Sequence, residues 1–252
     1  MRTRLTLGVL FFCTLILAEP QTLYAQGQMV DLGIRFWKPT PELVLSSGGV
    51  TVDFVQDFGL EEEWFREYRG SIGRRQKLRV NYVRFEYNAE ATIERTIVFQ
   101  GREFTVGAPV ATDVQWDQWT FGYEWDFVSR PGGFLGLLTD LRYNRVVASL
   151  DSPAFTSTAT TEVSVPAPAF GFIGRGYIGS VASVTAEFTG ITLGFDAFDG
   201  ETYDLDIYGT AHFGPHFGIS GGYRALDIHY EVDDDIGDLK MKGPYFGAVV
   251  SF

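Results

Sequence analysis

The residues able to do chemistry are few and scattered along the chain. Gly218-Ile219-Ser220-Gly221-Gly222 has the G-x-S-x-G spacing of a hydrolase nucleophile, which needs a strand-turn-helix elbow to expose its serine. No helical pattern follows it, so these glycines read as relief of sheet curvature. Asp227 and His229 place an acid and an imidazole on one side of a strand, which could activate water if a second acidic pair faced them. His212 and His216 flank a turn without nucleophile spacing. Asp233 to Asp238 could gather a cation through oxygens, but not with the spacing of an EF-hand loop. Glu61-Glu62-Glu63 reads as a solvated run. No cofactor or structural metal is expected.

A second set of ionisable residues is more telling, because each lies in mid-strand between apolar neighbours. Arg84, Glu86, Glu124, Asp126, Asp140, Arg142, Glu187, Asp204 and Asp206 belong to it. In a closed barrel with an apolar exterior, these side chains face the lumen. A barrel of eight to ten strands is narrow enough for side chains to fill, so opposite charges would pair there. The other reading is a lumen that conducts small solutes, its acidic excess favouring cations.

The elements that would position these residues are strands. From Gln118 to Phe127, Trp119, Phe121, Tyr123, Trp125 and Phe127 fall on one face. Gln118, Thr120, Gly122, Glu124 and Asp126 fall on the other. Similar blocks of period 2 recur, separated by turn chemistry. Beyond residue 25 there is no apolar run of 18 residues, hence no candidate membrane helix. Aromatics make up 15% of the chain and there are 29 glycines, residues that aromatic girdles and curved sheets consume.

The first 25 residues read as an export signal. Arg2 and Arg4 precede the apolar stretch Leu5 to Ala18, which is too short to span a bilayer, and Leu23-Tyr24-Ala25 offers a cleavage site. The single cysteine, Cys13, lies inside this segment, so the mature chain, residues 26–252, would carry no thiol or disulfide. Removing Arg2, Arg4 and Glu19 leaves 18 basic and 31 acidic side chains, a net charge of −13. Such acidity argues against nucleic acid as a partner.

At the other end, Phe252, Val250, Ala248 and Phe246 alternate back from a terminal aromatic. Working back from Phe252, short and long connections alternate, as expected of a barrel with short periplasmic turns and long outer loops. Ten strands result, near 29–38, 64–72, 77–90, 113–128, 134–150, 163–178, 182–194, 202–213, 217–230 and 239–252, with an eight-stranded barrel as the alternative. Val50 to Phe58, inside the first outer loop, itself looks like a strand. Two strands change phase: Leu78, Val80 and Tyr82 give way to Phe85 and Tyr87, and Ile219 and Tyr223 to Leu226, Ile228 and Tyr230. Either a bulge shifts the pattern by one residue or these are extensions above the bilayer where alternation is not enforced.

The alternating C-terminal segment Phe246, Ala248, Val250, Phe252 resembles the signal read by the bacterial barrel-assembly machinery. Arg95 to Gly107 (RTIVFQGREFTVG) and Phe121 to Phe127 (FGYEWDF) are similar to small single-chain outer-membrane barrels of the OmpA-like and OmpW-like group. The resemblance covers the mature chain and implies an all-β, antiparallel, up-and-down transmembrane β-barrel in the bacterial outer membrane. Its partners would be outer-membrane lipid, the assembly machinery and an extracellular ligand of unknown kind. The primary expectation for function is a barrel with a filled lumen, acting structurally or through acidic extracellular loops. A narrow pore for small or hydrophobic solutes is the runner-up. A surface hydrolase like the omptins, which use Asp-His chemistry, comes third, because Glu124 and Asp126 would lie too deep to complete its site.

Overall fold

The computed structural model describes residues 29–252, apart from 48–49, 93–95, 100–101, 153–158, 196–197 and 233–234. The export-signal expectation, Asp233 and Asp234 therefore lie outside the described residues. No helix among the described residues is long and apolar enough to cross a membrane, a statement that does not bear on strands.

The chain runs through β1 (Val30–Trp37), β2 (Thr40–Ser47), β3 (Val50–Asp53), α1 (Phe54–Phe58), β4 (Phe65–Gly73), β5 (Gln76–Thr92), β6 (Ile97–Phe99) and β7 (Arg102–Phe104). It continues through β8 (Pro109–Arg130), β9 (Gly133–Asp151), β10 (Ala159–Ile178), β11 (Ala182–Phe195), β12 (Phe198–Phe213), β13 (Phe217–Val232) and β14 (Asp235–Ser251). Ten strands, β1, β4, β5 and β8 to β14, each pair antiparallel with the next, and β14 returns to pair with β1. The barrel is closed, so no sheet edge is left in the bilayer, where an unpaired backbone group would cost several kcal/mol. Closure extends to the chain ends: Met29 N donates to Phe252 O (2.6 Å) and Phe252 N to Val30 O (2.8 Å). The count is ten, and the eight-stranded alternative falls away.

Four short inner turns join β4–β5, β8–β9, β10–β11 and β12–β13. At the first of them Gly73 has φ 128°, and a Cβ there would meet Gln76 O at 2.0 Å. The outer connections are shorter than expected, because the strands continue upward. β11 and β12 remain paired to Phe195↔Phe198, and β13 and β14 to Val232↔Asp235. Much of what reads as loop in the sequence is strand above the bilayer.

The first outer connection is the exception. At Lys38-Pro39 the chain bends against β14, close enough that a Cβ on Gly243 would meet Lys38 O at 2.1 Å. Beyond the bend, β14 exchanges its partner from β1 to β2, and β3 folds back on β2. The strand expected over Val50 to Phe58 stops at Asp53, whose carboxylate accepts from Val55 N and Gln56 N and caps α1. Asp is poor inside a strand and strong at an N-cap, and Gly59 ends the turn in the left-handed region (φ 68°).

Candidate functional site

The outside of the lower barrel is an apolar band. Trp119, Phe121, Tyr123, Trp125 and Phe127 on β8 are exposed, as are Leu137, Leu141 and Tyr143 on β9 and Tyr203, Leu205 and Ile207 on β12. Trp119 to Phe127 spans eight residue steps, about 27 Å along the strand and about 21 Å along a barrel axis tilted by about 40°. That height matches the hydrocarbon face of an outer-membrane barrel, about 25 Å tall. In water so large an exposed apolar surface would drive association.

The lumen of this lower section is a belt of ion pairs. Glu187 accepts from Arg69 (3.1 Å), from Arg79 and from Tyr208 Oη (3.0 Å). Asp206 accepts from Arg35 (2.6 Å) and Tyr245 Oη (2.6 Å), and Asp204 from Arg224 (2.8 Å) and Arg142 (3.1 Å). Glu67 accepts from Arg224 (3.1 Å), while Lys77 bridges Glu124 (2.5 Å) and Asp126 (2.9 Å). Asp140 is buried near Arg79 and Arg142, with no ion pair among the described residues. The cations Arg35, Arg69, Lys77, Arg79, Arg142, Arg175 and Arg224 thus face the carboxylates Glu67, Glu124, Asp126, Asp140, Glu187, Asp204 and Asp206, seven of each sign. An unpaired ion in such a place costs several kcal/mol, so balance is what permits burial.

Of the sequence-expected lumen residues, Glu124, Asp126, Asp140, Arg142, Glu187, Asp204 and Asp206 are all in this belt. Arg84 and Glu86 are not, which corrects the reading of the sequence. Both are exposed on the outer wall, where Arg84 Nε donates to Asp117 (2.7 Å). The cause is that β5 has no bulge. Its alternation runs unbroken, with Val83, Phe85 and Tyr87 pointing inward where Lys77 and Arg79 do lower down. β13 behaves identically: Arg224 and Leu226 share the inner face with no register shift. The register shift that does occur lies elsewhere, between Trp125 and Val128.

Above the belt, therefore, the barrel turns inside out. Trp37, Phe54, Leu60, Phe65, Val83, Phe85, Tyr87, Val110, Val114, Trp116, Leu150, Leu226 and Met241 form one buried apolar cluster. The Phe85 ring packs against Trp116 (4.7 Å), Phe65 (5.0 Å) and Trp37 (5.7 Å). α1 contributes Phe54 from the outer connection, so the cluster caps the lumen. Belt and cap join through stacked cations: the Arg224 guanidinium lies 4.9 Å from the Trp37 ring, and Arg35 4.3 Å from that of Tyr245. Burial in the cap pushes the Tyr87 phenol up from its usual pKa.

Sequence reading missed Arg35, Glu67, Arg69, Lys77, Arg79, Arg175 and Arg224. The signal was available for several: Arg79 alternates with Leu78 and Val80, and Arg224 sits beside outward Tyr223.

Among the described residues, the isolated chemical motifs are not assembled into a site. Ser220 lies within β13, which continues as strand. His229 Nδ1 pairs with Asp238 (2.8 Å) and Asp227 faces Lys240 (3.8 Å), both on the outer wall. Ser183 Oγ is 3.0 Å from His212 Nε2, but Ser183 is only 2% exposed. Among the described residues, no three His, Cys, Asp or Glu side chains are placed to hold a metal ion.

No protein-family model and no curated sequence matches the chain. Solved structures do. The outer-membrane protease OmpT of Escherichia coli superposes with a TM-score of 0.57 at 8% identity, over 92% of this chain and 99% of that one. The fold is that of an outer-membrane barrel. The transport unit of the autotransporter AIDA-I of Escherichia coli gives a TM-score of 0.48 at 9% identity, over 96% and 97% of the two chains. Ail of Yersinia pestis gives 0.38 at 11%, over 89% and 99%. At these identities the likeness is one of fold, and this barrel's belt and cap stand on their own geometry.

Proposed function

We propose that this chain is an integral outer-membrane barrel of a Gram-negative bacterium that conducts nothing and acts through its outer surface. One observation carries the reading: the apolar cap closes the outer end of the lumen above a charge-balanced belt. A water-filled path needs a continuous polar lining, and the ring of Trp37, Phe85, Trp116, Leu226 and Met241 interrupts it, each no more than 5% exposed. The outer wall above the bilayer is polar and mostly acidic, with Glu61, Glu62, Glu63, Glu86, Glu90, Asp151 and Glu231 all exposed. It suits contact with an extracellular ligand, and the rigid capped core would hold that surface in one shape. Export by residues 1–25 and assembly through Phe246, Ala248, Val250 and Phe252 complete the proposal. Phe246 and Phe252 are exposed on the barrel's outside, where a folding factor or lipid reaches them.

The name of OmpT raises a protease reading. Asp227 and His229 take no proteolytic role in this proposal, because they engage Lys240 and Asp238 respectively on the outer wall rather than facing a cleft.

Refolded mature protein in a planar bilayer tests the proposal, with gel mobility compared before and after boiling. Heat-dependent mobility without unitary conductance is expected. Stable ion conductance by the wild type would overturn the plugged reading. Opening of conductance only when Trp37 and Phe85 are both changed to Ala would place the seal at the cap.

A further inference from the structure

From the inner side of the belt the lumen opens toward the inner turns as a vestibule of about 150 Å³. Its wall includes Asp31, Lys77, Arg175, Ser180, His212 and Ser251. Every carboxylate that lines it is already engaged. Glu124 is held by Lys77 and Arg79, Glu187 by Arg69, Arg79 and Tyr208, and Asp31 by Ser251 Oγ (2.6 Å) and Ser71 Oγ (3.4 Å).

Arg175 is different. Among the described residues it is the one lumen cation with no carboxylate at ion-pair distance. Its Nε donates to Thr185 Oγ1 (2.8 Å) and its Nη2 to Tyr208 Oη (3.2 Å), both neutral acceptors. A guanidinium carries five N–H donors in a planar fork, so most of this one remains uncommitted. The fork is also fixed in direction, because the two hydroxyls and the Phe134 ring, 5.5 Å from its centre, hold it. A planar, always-charged, preorganised donor at the wall of a polar cavity is the arrangement that recognises phosphate or carboxylate. The other cations of the wall, Arg35, Arg69, Lys77 and Arg79, are each paired with a carboxylate, so Arg175 is the cation of the wall left for a ligand.

We propose that this vestibule binds a small oxyanion, a phosphate or carboxylate group arriving from the inner side, through the guanidinium of Arg175. The hydroxyls of Ser180 and Ser251 and the ring of His212 line the entry. The proposal does not depend on whether the cap seals the barrel, because the vestibule opens at the opposite end.

Titration of the refolded mature barrel in non-ionic detergent tests it, with inorganic phosphate and, separately, acetate as probes, followed by calorimetry. The wild type should bind phosphate saturably. Arg175→Gln should weaken binding by about tenfold or more, the scale of one charge-assisted bidentate contact. Arg75→Gln, on the exposed inner turn, should leave it unchanged. Binding of acetate as well would assign the site to oxyanions at large, and phosphate alone to a phosphate group. If Arg175→Gln loses its heat-dependent gel shift, Ser180→Trp, at an exposed turn residue on the vestibule wall, should fold and abolish binding by obstruction. Absence of saturable binding of either probe by the wild type, or unchanged affinity in whichever of Arg175→Gln and Ser180→Trp folds, would overturn the proposal.

Discussion

Two lengths of the same ten strands obey opposite rules. In the lower barrel, charge faces inward and Phe, Trp and Leu face outward; above Trp119 on β8 the assignment reverses. β5 shows this in one strand, with Lys77 and Arg79 inside below and Phe85 and Tyr87 inside above. Along the β5–β8, β8–β9 and β13–β14 ladders, backbone pairing and pleat run through the transition without interruption. What differs is the solvent outside: hydrocarbon below, water above. The lower section must keep its charges from lipid, so it gathers them in the lumen and neutralises them pairwise. The upper section is a soluble β-structure whose hydrophobic core is the barrel interior.

The comparison is broken most severely by removing one member from either interior. Asp204 joins Arg142 and Arg224, and Asp204→Ala should cost about 3–5 kcal/mol by leaving buried cations uncompensated. Phe85→Ala should cost about the same, about 3–5 kcal/mol, through the cavity it opens in the cap. Denaturant unfolding in detergent micelles measures both. If the two interiors are independent, the double variant should be additive within about 0.5 kcal/mol. On the outside, Phe121→Arg puts a charge into the lipid band and should cost about 2–4 kcal/mol in a bilayer. Glu86→Lys, one residue from Phe85 but in water, should stay within about 0.5 kcal/mol. Equal costs for these two would show that the membrane boundary lies elsewhere.

The smallest effect concerns protonation at the rim. Glu62 accepts from Thr40 Oγ1 (2.5 Å) and pairs with Lys38 (3.2 Å), contacts that hold its carboxyl below the usual glutamate range. The folded-state pKa is depressed, so the contribution is present above the unfolded pKa and fades as pH falls through the folded one. Carboxyl NMR should find Glu62 titrating below the usual glutamate range, and Thr40→Val should raise it.

The sequence by itself determined the class of fold and most of the strand ends, and favoured ten strands while leaving eight open; closure of the sheet decided the count. Period-2 alternation and turn residues are local signals, and a hydrogen-bonded barrel reads them out strand by strand. It also determined which charged residues of β8, β9, β11 and β12 point inward, because parity within a strand settles that. Parity failed at Arg84 and Glu86. A switch of apolar residues to the other face looks the same in sequence whether the backbone inserts a residue or the surroundings change. Only the tertiary structure decided between them: the neighbouring β8 carries the same reversal at Trp116 and Gln118 in register with β5, so the environment changed and the strand did not. The pairing of Arg69 with Glu187, and the seal built from Trp37, Phe54 and Met241, were likewise beyond reach of the sequence. These partners lie on opposite or distant walls, and closure of the sheet alone brings them within contact.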